Sequence, residues 1–301
     1  MNPKTKLIAR LATIASFSAL VSFCGTSLAL TESAFGYNIS TAGDWGCNDN
    51  TKKTVSNIIN KNPERVLGLG DYSYKTTADC WLAIVDPIDE KMKITIGNHD
   101  DISSSLLNQY MSHFSLSKQY YSFEYQNAHF IVLSTEQTSS SSQYSFVKSD
   151  LAKASSNPNI DWIIVYMHKP LYTSPSVHAG ESTMRDKYHP LFDQYGVDLV
   201  LYGHNHAYER SYPIKYDKST PSTPIVTSTS KGSYNDPQGQ IYATVGTGGQ
   251  SIYHYSSKSS YIVTQYEGYG ILDINISGST LAAKFYSNSD GSVKDQFTIT
   301  K

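Results

Sequence analysis

The chain has 301 residues, enough to bury a large core within one folded unit. A formal net charge of −2 provides no basic footprint for nucleic acid or an anionic membrane, so neither is expected as a partner. Charged residues make up 17%, below the usual level of about a quarter, and Ser, Thr and Tyr are abundant, as on many extracytoplasmic proteins.

The first signal in chain order is N-terminal. Lys4, Lys6 and Arg10 precede an apolar stretch over 11–23, and Ser27-Leu28-Ala29 supplies small residues for a cleavage site. The apolar run falls short of the roughly 20 residues a spanning helix needs, so residues 1–29 are expected to be a cleaved signal peptide rather than an anchor. The mature protein is then secreted or extracytoplasmic. Once Cys24 leaves with the signal, Cys47 and Cys80 remain, an even count that permits one disulfide between adjacent loops.

Beyond the leader, short apolar runs predict strands over 37–42, 65–69, 93–96, 129–134, 162–167 and 199–202. Helices are predicted between them over 50–60, 104–113, 143–154 and 181–195. Such alternation reads as an α/β fold. The serine tract 139–142 is expected to be a flexible loop tip, and residues 217–240, rich in Ser, Thr, Pro and Gly, a long surface loop. Strand-like runs follow over 240–245, 270–276, 280–286 and 296–300, with Gly278 in a hairpin turn. These are expected to be mostly antiparallel and to complete a second sheet.

Five strand ends share one pattern: a polar, metal-capable side chain stands just past the carboxyl end. They are Gly43-Asp44-Trp45-Gly46, Gly70-Asp71-Tyr72-Ser73-Tyr74, Gly97-Asn98-His99-Asp100, Met167-His168 and Gly203-His204-Asn205-His206. Open α/β sheets bind ligands in that crevice. One Asp after a strand is most often a turn residue or helix cap. Five such ends in one chain, with a His-x-His pair and carboxylates, instead suit first-row transition metals. Because these residues run from Asp44 to His206, residues 30–301 are expected to form one domain.

In these five blocks, and further in Ala207-Tyr208-Glu209-Arg210 and Gly246-Thr247-Gly248-Gly249, the sequence resembles the calcineurin-like metallophosphoesterases. Most of that superfamily begins with Asp-x-His. Here the His position is Gly46, while Tyr74 stands where the purple acid phosphatases place a tyrosine ligand. The resemblance implies a sandwich of two mixed β-sheets flanked by helices. It also implies Fe(III) held by Asp44, Asp71, Tyr74 and His206, with Asp71 bridging to a second divalent ion (Fe, Zn or Mn) on Asn98, His168 and His204. The implied reaction is hydrolysis of small phosphate monoesters by a metal-bound hydroxide.

By the same resemblance His99 and His178 face the substrate, whereas Glu181 is read as a first-turn helix residue and Asp100 as support for His99. His113, His129, His189 and His254 are expected to be structural or superficial. Two other readings stand beside this one: a phosphodiesterase or nucleotidase with the same metals, and a secreted binding module without catalysis.

Overall fold

A computed structural model describes residues 36–301; the expected signal segment, 1–29, lies outside the described residues. The chain opens with β1 (Tyr37–Ala42), α1 (Asp49–Lys61), β2 (Arg65–Gly68), α2 (Asp79–Val85), β3 (Met92–Ile94) and α3 (Ser104–His113). Asn48 starts α1 by accepting the amides of Asn50 and Thr51 at 2.9 and 3.1 Å, and left-handed Asn62 ends it. Ser103 caps α3 through the Leu106 amide. β1, β2 and β3 run parallel, with Ile39 beside Arg65 and Val66 beside Met92.

A hairpin of β4 (Tyr121–Tyr125) and β5 (Ala128–Val132) comes next, followed by α4 (Ser141–Ser156), β6 (Trp162–Tyr166), α5 (Ser182–Tyr195) and β7 (Leu199–Tyr202). β5, β6 and β7 are parallel and buried along their whole length, which explains their unbroken apolar sequences. The remaining strands are β8 (Tyr208–Ser211), β9 (Ile214–Lys215), β10 (Ile225–Val226), β11 (Ser233–Asn235), β12 (Ile241–Val245), β13 (Ile262–Tyr266), β14 (Gly270–Ser277), β15 (Thr280–Ser287) and β16 (Val293–Thr300).

Two mixed seven-stranded sheets result, ordered β11-β16-β15-β14-β1-β2-β3 and β13-β8-β12-β7-β6-β5-β4. One apolar core joins them, with Ile39, Leu67, Ile274 and Phe285 from the first sheet against Phe130, Ile164, Leu201 and Tyr208 from the second. A second core lies under α4 and α5, and a third under α1, α2 and α3. The fold is thus the expected pair of mixed sheets with helices outside.

Three expectations change. The C-terminal strands are mostly antiparallel as expected, but they divide between the two sheets and do not together complete the second one. β14, β15 and β16 form an antiparallel meander that pairs with β1, turning through Gly278, whereas β12 lies parallel to β7. β1 is buried on both faces, so it needs a partner on each side to satisfy its backbone. The serine tract is no loop tip: Ser140 caps α4, its hydroxyl accepting the Gln143 amide at 3.1 Å. The segment 217–240 is largely loop, but it contributes β10 and β11. Helix α2 and strands β4, β8 and β13 had no counterpart in the sequence reading.

Candidate metal centre

The carboxyl ends of β1, β2 and β3 in one sheet and of β6 and β7 in the other converge on a single cluster. The first two loops are zipped together. Amides of Asp44, Trp45 and Gly46 donate in turn to the carbonyls of Gly70, Asp71 and Tyr72 at 3.0, 2.9 and 2.7 Å. Just beyond, Cys47 and Cys80 form the expected disulfide.

Local backbone geometry is unusual here. Asp44, Asp71, Tyr74 and His204 have φ of 59°, 57°, 54° and 69°, four of the eight non-glycine residues with positive φ among the described residues. Such conformations cost about 1–3 kcal/mol each and persist where surrounding structure enforces them. Gly46 also has positive φ, at 79°, so a histidine there would be strained. At Gly70, φ 89°, a Cβ would stand 2.6 Å from His168 Nδ1.

All seven expected ligand residues come together, in two groups sharing Asp71. On one side Tyr74 Oη lies 3.2 Å from Asp44 Oδ1, 3.3 Å from Asp71 Oδ2 and 3.0 Å from His206 Nε2. On the other, His168 Nε2 lies 3.1 Å from Asn98 Oδ1, 3.2 Å from Asp71 Oδ2 and 3.2 Å from His204 Nδ1. Donor atoms of Asp71, His168 and His204 all lie within 4.8 Å of one another.

Backbone carbonyls orient two of the rings. His168 Nδ1 donates to Leu69 O and His206 Nδ1 to Ser251 O, both at 2.8 Å, which turns each Nε2 into the cluster. Electrostatics fits a cation-binding centre. Burial and the carboxylates of Asp44 and Asp71 push the Tyr74 phenol far above its ordinary value, so phenolate there requires a compensating positive charge. Burial pushes the His168 ring down, but the Asp71 carboxylate outweighs it and raises it overall. A proton and a cation would therefore compete for the same position. His204 is lowered to about 2 by burial and then by His168, leaving a neutral imidazole.

The two remaining site candidates flank these groups. Exposed His99 packs on Tyr74 with ring centroids 4.5 Å apart, and its amide donates to Asp71 Oδ1 at 2.8 Å. His178 stacks on His204 at 4.1 Å. Glu181 is the residue before α5 and makes no side-chain cap, so its assignment to the first turn shifts by one position.

Asp100 has a different job from the one expected. Instead of supporting the His99 ring, its buried carboxylate accepts the amides of Asp71, Tyr72 and Gly97 at 2.7, 2.9 and 2.9 Å, binding the second and third blocks together. His113, His129, His189 and His254 pair with Asp89, Asp150, Tyr172 and Glu267, in structural or surface settings. Sequence reasoning missed Tyr253, which stacks on His206 at 4.0 Å and 12° and gives its amide to the His206 carbonyl. It also missed Asn205. Neither has a local signature beyond proximity to a recognised block.

Comparison with known proteins agrees with this geometry. The profile of the calcineurin-like phosphoesterases matches residues 38–208. Purple acid phosphatase 15 of Arabidopsis thaliana is 28% identical over 263 residues, covering 72% of this chain and 46% of that protein. The phosphoenolpyruvate phosphatase of Allium cepa is 32% identical over 243 residues, covering 71% and 49%. The chain thus spans about half the length of these curated relatives. A purple acid phosphatase from yellow lupin seeds shares the fold, with a TM-score of 0.76 at 22% identity over 89% of this chain and 54% of that one. The chain belongs to the calcineurin-like phosphoesterase family, and several of its curated relatives are purple acid phosphatases.

Proposed function

We propose that the protein is an exported acid phosphatase of the purple type, hydrolysing small phosphate monoesters at a centre that holds two metal ions. The observation that carries this reading is the division of seven donor side chains into two groups with Asp71 common to both. Oxygen donors dominate the Asp44, Asp71, Tyr74 and His206 group, which suits a hard trivalent ion such as Fe(III). Asn98, His168, His204 and Asp71 mix oxygen and nitrogen donors, as Fe(II), Zn or Mn would accept. When bound, such a pair polarises a phosphoryl group and acidifies water at neutral pH.

The chain's own groups would do the rest. Asp100 keeps the second and third blocks in register, and the carbonyls of Leu69 and Ser251 hold two ligand rings in one tautomer. His99 and His178, one against each half of the cluster, are positioned to bind phosphate oxygens and to pass a proton to the departing alcohol. The disulfide is in keeping with export. No helix among the described residues is long and apolar enough to cross a membrane.

Metal analysis, a visible spectrum and kinetics with p-nitrophenyl phosphate and bis(p-nitrophenyl) phosphate test the proposal together. The expected result is two metal ions per chain, a phenolate-to-iron absorption band lost in Tyr74→Phe, and preference for the monoester. A metal-loaded protein inactive on both substrates would overturn the enzymatic reading. A preference for the bis-ester would make it a phosphodiesterase.

A further inference from the structure

Between His204 and His206 stands Asn205, a fully buried polar side chain that faces away from the metal cluster. A buried carboxamide must satisfy its donors and acceptor, and the partners it has chosen belong to one segment, the loop after β6. Its Nδ2 donates to Thr173 Oγ1 at 2.9 Å and to the His178 carbonyl at 3.1 Å; its Oδ1 accepts the His178 amide at 3.2 Å. Both backbone polar groups of His178 are therefore held by one side chain.

The base of the loop has anchors of its own. Glu209 accepts the Ser174 amide at 3.0 Å, and Tyr261 Oη donates to the Thr173 carbonyl at 3.0 Å. Neither reaches His178, whose ring rests on His204 at 4.1 Å. Since the turn that supplies His204 and His206 also carries Asn205, placement of that turn fixes where the His178 ring sits.

We propose that Asn205 is a positioning residue for catalysis: it clamps the His178 backbone so that the imidazole is held over the metal-binding turn, facing the substrate. This rests on the phosphatase reading for its catalytic consequence, but not for its structural content. Asn205 acts through His178 and not through the metals, because no atom of its side chain is directed at a ligand group.

The test has two arms. In the first, imidazole NMR of the metal-free protein follows the His178 ring in wild type, Asn205→Ala and Thr173→Val. Asn205→Ala should release the ring from its stack on His204, and Thr173→Val, which keeps two of the three hydrogen bonds, should loosen it less. A His178 ring that stays ordered and stacked in Asn205→Ala overturns the proposal whether or not the protein is a phosphatase.

In the second arm, kcat/KM for p-nitrophenyl phosphate is measured in Asn205→Ala, His178→Ala and the double variant, with metal content determined for each. Asn205→Ala should lose roughly 10- to 100-fold through misplacement of the His178 ring, with its full metal load, and the double variant should be no worse than His178→Ala alone. Multiplying losses, or a metal-depleted Asn205→Ala, would overturn it. If Asn205→Ala does not fold, Asn205→Asp against His178→Ala supplies the same cycle, since a carboxylate can still accept the His178 amide but loses the donation to the His178 carbonyl and to Thr173. A wild type inactive with metals bound would sink the phosphatase reading instead, leaving the NMR arm to decide the clamp.

Discussion

At the scale of single residues, burial makes polar side chains informative. His129 is buried in β5, between Asp150 at 2.8 Å and Glu124 at 3.4 Å. Burial alone would push its ring down; the two carboxylates prevail and raise it above the ordinary 6.5. A group with a raised folded value stabilises fully below its unfolded value and loses that contribution as pH rises through the folded one. Wild type should thus exceed His129→Gln in stability most clearly below about pH 6, with the gap narrowing above neutrality. Urea unfolding midpoints at acid and alkaline pH measure this, and a gap that widens with pH would contradict it. Of the proposed ligands, Asp44, Asp71, Asn98, His168 and His204 were legible because each follows glycine or an apolar run at a strand end, His206 because it completes a His-x-His pair, and Tyr74 only through the family resemblance. The roles of Asp100, Asn205 and Tyr253 were not, since their partners are set by packing between distant loops.

At the scale of elements, strands β5, β6 and β7 could be read because burial on both faces leaves continuous apolar sequence. β8 could not. Its Tyr208-Glu209-Arg210-Ser211 looks like surface, yet every residue is buried. Arg210 is neutralised by Asp295 of β16, through Nε at 2.6 Å and Nη2 at 2.9 Å, and also donates to Tyr234 and the Lys231 carbonyl. This pair crosses from one sheet to the other. Asp295→Ala should cost roughly 3–5 kcal/mol by stranding a buried guanidinium, whereas replacing both partners with apolar residues should cost much less. Chemical denaturation of the single and double variants distinguishes the two. Helix α2 escaped notice for a simpler reason: seven residues are too few for a periodic pattern.

For the whole molecule, the important fact is that Asp44, Asp71, Tyr74 and Asn98 come from one sheet and His168, His204 and His206 from the other. A cation bound across this seam binds only when the sheets are docked, so its binding free energy adds to folding stability. At free metal 100-fold above Kd the gain is about 2.7 kcal/mol. Chelation should therefore lower the melting temperature by several degrees, and Asp71→Asn should remove most of the difference between metal-loaded and chelated protein. Calorimetry of both proteins in both states checks this. An unchanged melting temperature on chelation of metal-loaded wild type would mean that the sheets dock independently of the cluster.

The Cys47–Cys80 bridge, 33 positions apart in sequence, encloses Asp71 and Tyr74 in a covalent ring and leaves Asp44 three residues outside it. Even in the unfolded chain these three side chains cannot drift far apart, and the ring removes loop-closure entropy in advance. The Asp44, Asp71 and Tyr74 side of the cluster is in this sense pre-threaded. If the proposed centre takes up metal, oxidation before capture would be the productive order of maturation, and a nascent chain kept reduced would have to gather the same side chains from a much wider search.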